Sequence, residues 1–162
     1  APGLVRNAAF DGTRYAGITS DVPLDYDDTV ANTRLFVKDP ASGEVRVSPV
    51  LVKQRGFASK LKMSGSWAVL QVENGLWDGN VPRTVTLDKR PQVTLVVNLE
   101  TWAAYRLPVE VGRRAHAHGF GTDGEDVHAV LGKEPGDWHA GDEVRRYPLA
   151  RISEWGLPWT GE

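Results

Sequence analysis

The chain has no cysteine among its 162 residues. That one absence removes structural disulfides, thiolate metal sites and cysteine nucleophiles together. Folding is left to the hydrophobic core, and a chain of this length buries roughly 68–70% of the surface its unfolded form exposes. An excess of either charge is also missing. Nineteen Lys and Arg against 21 Asp and Glu leave a net charge of −2, with an isoelectric point near 6.1. Such a balance gives no electrostatic footprint for nucleic acid or an anionic membrane, so neither is expected as a partner. The longest basic clusters, Arg113-Arg114 and Arg145-Arg146, read as ordinary solvated surface. No apolar run approaches the roughly 20 residues of a membrane-spanning helix. Helical periodicity is absent too: no window of about 11 or more residues repeats its apolar positions every 3.6 residues.

What is present is a period of two. Thr33 to Lys38 reads as a strand, and Asp39-Pro40-Ala41-Ser42-Gly43 as a turn in which Pro presets φ and Gly accepts a positive one. Glu44 to Lys53 then sets Val45, Val47, Pro49 and Leu51 against Arg46, Ser48, Val50 and Val52, which makes a β-hairpin. Pro49 has no N–H for a ladder, so this second strand is expected at an edge or bulged there. Trp67 to Val72 is a strand with Trp67 in core phase. Arg83 to Leu87 and Val93 to Leu99 form an alternating pair about the turn Asp88–Pro91. Residues 112–126, broken by Gly, His and Asp, read as a long loop or loosely paired hairpin. Val127 to Leu131 and Glu143 to Leu149 are short strands. Strands at this spacing predict an all-β fold, an antiparallel sandwich or open barrel.

The ends differ from the middle. Residues 1–32 keep no period and close on the acidic cluster Asp25-Tyr26-Asp27-Asp28, so they are expected to form an extended arm or an irregular edge strand. The main domain is expected over 33–151. Residues 152–162 form a tail, Ile152 to Trp159, in which Gly156 and Pro158 exclude a helix. Ala1 fits either loss of an initiator methionine or cleavage of a signal peptide. Ile occurs only at Ile18 and Ile152, and Arg outnumbers Lys about two to one, as in a GC-rich genome.

Few residues advertise chemistry. All four histidines, His116, His118, His128 and His139, fall among Asp123, Glu125, Asp126, Asp137 and Asp142. On a regular strand His116-Ala117-His118 points both imidazoles to one face, as a metal pair requires. Gly112, His116, His118, Glu125, Gly132, Pro135, Gly136 and His139 run in an order that resembles the cupins. That resemblance implies a small metal-dependent enzyme using His116, His118, Glu125 and His139. The blander account, solvent-exposed loop histidines with no metal and no cofactor, is the one expected. The acidic cluster lacks the glycine and terminal Glu of a calcium loop. No Gly-x-Ser-x-Gly occurs, and Gly119-Phe120-Gly121 leads into neither a helix nor a Lys-Ser/Thr pair.

The tryptophans are the remaining signal. Trp155 and Trp159, with Leu157 between them, are expected to anchor an interface, because Trp offers large area for few frozen torsions. Trp77 and Trp138, beside Gly and Asp, are candidates for a ligand-binding face that stacks on sugar rings; otherwise each Trp plugs one end of a sandwich. A short, unrepeated, all-β chain without catalytic motifs and with two distinctive ends resembles in style the minor tail, baseplate and capsid-decorating proteins of tailed bacteriophages. The resemblance implies a non-enzymatic virion protein that docks through its termini on subunits of the same or a neighbouring kind. The alternative is a carbohydrate-binding sandwich of an exported, extracellular protein.

Overall fold

The structure is a computed structural model and describes residues 4–21, 30–55, 59–72, 93–109, 115–132 and 142–160. It is all-β in class, as the periodicity predicts. Strands β1 (Leu4–Phe10), β2 (Tyr15–Ser20), β3 (Val30–Lys38), β4 (Val45–Val47) and β5 (Val52–Arg55) make a first antiparallel sheet in the order β1-β2-β3, with β4 and β5 both paired to β3. A second sheet holds β6 (Ser59–Ser64), β7 (Trp67–Val72), β8 (Val93–Asn98), β9 (Ala104–Arg106) and the two-residue β13 (Leu157–Pro158), in the order β13-β9-β8-β7-β6. A third consists of β10 (Ala115–Thr122), β11 (Asp126–Gly132) and β12 (Asp142–Pro148).

The second sheet is the middle layer, and its sequence says why. WAVLQV and VTLVVN are almost unbroken apolar runs, the pattern of strands buried on both faces. Register pairs Leu70 with Leu95 and Val69 with Val96. The even-numbered β7 residues Ala68, Leu70 and Val72, with Leu95 and Val97, pack against Ile18, Leu35, Val37 and Val52 of the first sheet. Val69, Val96 and Leu107 face the other way and pack against Phe120, Val127, Ala129 and Leu131 of the third. Trp67 lies against this second core, half-buried.

Pro49 acts as expected. Between the pairs Phe36↔Val47 and Thr33↔Val52, β3 has two residues and its partner has four, so the strand bulges by two and keeps its phase. Main-chain bonds from Ser48 N–H to Leu35 O (2.8 Å) and from Leu51 N–H to Thr33 O (2.9 Å) hold the bulge. The buried Ser48 hydroxyl accepts from the Leu35 N–H at 2.9 Å and donates to Pro49 O at 2.7 Å. Ser48→Ala strips a buried amide of its acceptor and is expected to cost about 1–3 kcal/mol. Urea unfolding of this variant checks it.

Two segments depart from the sequence reading. Residues 4–20 form a regular hairpin of the first sheet, with β1 at the edge, a register shift at Arg6, and β2 inside it. The tail does contain one helical turn, α1 (Ile152–Trp155), which follows a 3-10 turn at Leu149–Arg151. Gly156 ends that turn rather than forbidding it: its N–H bonds to Ile152 O at 2.7 Å. A Cβ at Gly156 would lie 2.7 Å from that same oxygen and 2.9 Å from the Tyr105 ring.

Candidate functional site

The tail residues expected at an interface lie against their own subunit. The Trp155 indole N–H donates to Pro148 O at 2.7 Å, and its ring packs on Tyr147 with centroids 5.1 Å apart. After β13 pairs with β9, the Trp159 N–H bonds to Ala104 O. The Trp159 indole then reaches the first sheet and donates to Leu51 O at 2.6 Å. Its ring lies against the core between the first two sheets. Only Leu157, 50% exposed, stays in water. The tail is a strap that starts at the third sheet, lines the second, and plugs the bulged edge of the first.

Trp77, Trp138, His139, Pro135, Gly136, Gly112 and the acidic cluster 25–28 lie outside the described residues. His116 and His118 fall in a wide irregularity of β10, where residues 116–119 face only Val130 between the pairs Ala115↔Leu131 and Phe120↔Ala129. The regular pairing of β10 with β11 is interrupted there. Glu125 sits in the β10–β11 turn, exposed, its N–H bonded to Asp123 Oδ1. His128 covers Gly121 on the outer side of the third sheet. Among the described residues no three His, Asp or Glu gather as a metal site would require.

The arrangement that sequence reading missed is the outer face of the first sheet. Ala16, Ile18, Leu35 and Val37 point into the core, so alternation turns Tyr15, Gly17, Phe36 and Lys38 outward. Register lines up Phe10, Tyr15, Lys38 and Val45 in one row and Ala8, Gly17, Phe36 and Val47 in the next. Four of these are large apolar side chains kept in water: Phe10 (52% exposed), Tyr15 (43%), Val45 (48%) and Val47 (37%). The Phe10 and Tyr15 rings stack with centroids 4.5 Å apart. Phe36 lies down across Gly17, where a Cβ would come within 2.3 Å of its ring. One signal for this hairpin was in the sequence: Asp11-Gly12, the strongest two-residue turn pair. Asp11 accepts from the Thr13 and Arg14 N–H groups at 2.8 and 2.7 Å, and Gly12 takes φ +98.

Below this face, a clamp joins the first sheet to the β8–β9 turn. Glu100 receives Arg14 at 2.8 Å and Arg46 at 3.3 Å on its two oxygens. Arg14 also donates to Gly65 O and Arg46 to Leu99 O. The Arg46 guanidinium stands 5.6 Å from the Trp102 ring centroid. Trp102 has φ 63, a left-handed conformation that a bulky residue adopts only when its surroundings hold it. Its N–H bonds to Asn98 O, and its ring lies against the first core. The hydrogen bond from Arg14, then its charge and that of Arg46, hold the Glu100 carboxyl below its ordinary value of 4.5 against the opposing effect of burial. Because the folded value is the lower one, this contribution to stability is complete above about pH 4.5 and disappears as pH falls through the folded value. Glu100→Gln is expected to lower the melting temperature at neutral pH and to flatten its decline in acid. Equal acid slopes for variant and wild type would contradict the clamp.

Among the described residues, fold and surface thus define an all-β protein of three layered sheets with exposed aromatic side chains on the outer face of the first. No family model, no curated protein and no solved structure matches the chain.

Proposed function

We propose that this protein is a non-enzymatic docking component of an assembly, a small virion protein of the minor tail, baseplate or capsid-decorating kind found in tailed bacteriophages. The docking surface is the outer face of the first sheet rather than the chain end, whose two tryptophans are engaged internally. The observation that carries the reading is the set Phe10, Tyr15, Val45 and Val47, four large apolar side chains exposed on one sheet face. Exposed apolar side chains gathered on one face mark sites of association, because leaving them in water costs free energy that a partner recovers. The partner is a subunit of the same or a neighbouring kind.

A second reading, a carbohydrate-binding module of an exported protein, draws support from the aromatic side chains of this face, the Phe10–Tyr15 stack and Phe36 over Gly17, since aromatic rings are what a sugar ring stacks on. The two readings separate by gene neighbourhood. The virion reading expects genes for portal, tail or baseplate proteins beside this one. Neighbours encoding glycoside hydrolases and secretion signals would contradict it.

A further inference from the structure

We infer that β12 pairs antiparallel with β12 of a second copy, about a two-fold axis through Val144, so that two third sheets join into one. This surface is separate from the docking face, because the first and third sheets cover opposite sides of the middle one. A dimer made here presents two docking faces.

The backbone of β12 leaves an edge open. Among the described residues β12 pairs with β11 alone. The Leu149 N–H bonds to Glu125 O at 2.8 Å, one step beyond the facing pair Asp126↔Pro148. Hydrogen-bonded pairs alternate along an antiparallel ladder, so Tyr147, Arg145 and Glu143 are the residues bonded to β11. Pro148, Arg146, Val144 and Asp142 turn their main-chain groups the other way. Pro148 O is taken there by the Trp155 indole N–H at 2.7 Å. Among the described residues no main-chain bond meets the outward N–H and C=O groups of Val144 and Arg146. Such an edge is a template for another extended strand.

The side chains choose which strand. From 142 to 146 the sequence reads Asp-Glu-Val-Arg-Arg, acid before Val144 and base after it. A two-fold axis at Val144 sets Asp142 opposite Arg146 of the second copy and Glu143 opposite its Arg145, each contact occurring twice. An axis at any other of these positions sets a charged residue against its own copy. An axis between residues faces outward main-chain groups with inward ones, and the bonds fail. Val144 is 63% exposed on the outer face beside Val130. Pairing at Val144 therefore joins two Val130–Val144 pairs into one apolar strip. The Arg146 side chain, 70% exposed, stands 4.0 Å from Asp126, and Glu143 and Arg145 meet at 2.8 Å within one subunit.

So short a pairing makes a small interface, and the dimer is expected to dissociate at about 10–100 μM. Sedimentation velocity of the intact chain from about 5 to 500 μM reads it. Because the Val144 N–H points away from β11, Val144→Pro removes an edge donor and leaves the β11–β12 ladder its bonds. It should weaken the dimer about tenfold or more. Arg146→Asp should do the same, because it brings like charges face to face. Adding Asp142→Arg to Arg146→Asp makes the facing charges opposite again and should restore the dimer. Phe10→Ser, on the first sheet, should leave it unchanged. The Arg146 variants carry the test where Val144→Pro does not fold. A monomer at every concentration, an undiminished dimer in folded Val144→Pro, no recovery in the double variant, or loss of the dimer in Phe10→Ser would each overturn the inference.

Discussion

Trp159→Ala is expected to lower stability by about 2–4 kcal/mol, near the range for truncating a packed tryptophan. For a chain of 162 residues that means a fall in melting temperature of roughly 5–15 °C. Two losses combine. The ring that plugs the core between the first and second sheets disappears, and the Leu51 carbonyl, in the bulged edge after Pro49, loses its donor at 2.6 Å. Trp159→Phe separates them in part: it keeps a six-membered ring in the plug but removes the N–H and part of the indole, so it should lose less than Trp159→Ala. Because the tail also carries Ile152 in the second core and Trp155 against it, removing residues 152–162 should loosen both cores rather than leave an intact domain with a trimmed end. Thermal unfolding of the three variants measures this. An unchanged midpoint in Trp159→Ala would mean that the tail is not part of the fold.

Leu70→Ala should cost about 3–4 kcal/mol, the scale of a buried leucine truncated where the surroundings cannot collapse. Leu70 and Leu95 are direct cross-strand partners in the middle sheet, both fully buried. Leu95→Ala should therefore be similarly severe. The double variant should lose less than the sum, because the two truncations open one shared cavity. Urea midpoints at constant slope read these differences; strictly additive losses would indicate that the pair does not share its packing.

How much of this was visible in the sequence depends on where contrast between the two faces of a strand was sharp. The strands at 33–38, 67–72 and 93–99 stood out, because β-branched, aromatic and leucine residues are concentrated there. The bulge at Pro49 was visible for a chemical reason, the missing N–H. The hairpin β1–β2 was not. A register shift at Arg6 breaks its period, and small residues, Ala8, Ala9, Ala16 and Gly17, stand where large ones would reveal a face. Gly17 in a strand interior reads as an interruption; its purpose is to let Phe36 lie across it. Alternation in 45–47 separates Val45 and Val47 from Arg46 but cannot say which set faces water. In this chain the valines do.

The tail shows a different limit. Its tryptophans announce that something apolar must be covered, and sequence cannot tell an internal partner from an external one. The acceptor for Trp159 lies 108 residues earlier, inside the bulge that follows Pro49. The helical turn at Ile152–Trp155 was hidden by Gly156, since a glycine chosen for the close approach of Ile152 O and Tyr105 looks like one chosen to break a helix. The clamp on Glu100 joins positions that are 86 and 54 residues away in the chain, a separation that no local pattern reports.

The fold turns on a middle sheet buried on both sides, and neighbouring valines on β8 test it directly. Val96 points to the third sheet and Val97 to the first, whereas Val144 on β12 is 63% exposed and controls for strand propensity. Chemical denaturation of Val96→Ala, Val97→Ala and Val144→Ala should show the first two losing about 2 kcal/mol more than the third. If either Val96→Ala or Val97→Ala behaved like Val144→Ala, one face of the sheet would be open to water and the three-layer arrangement would be wrong.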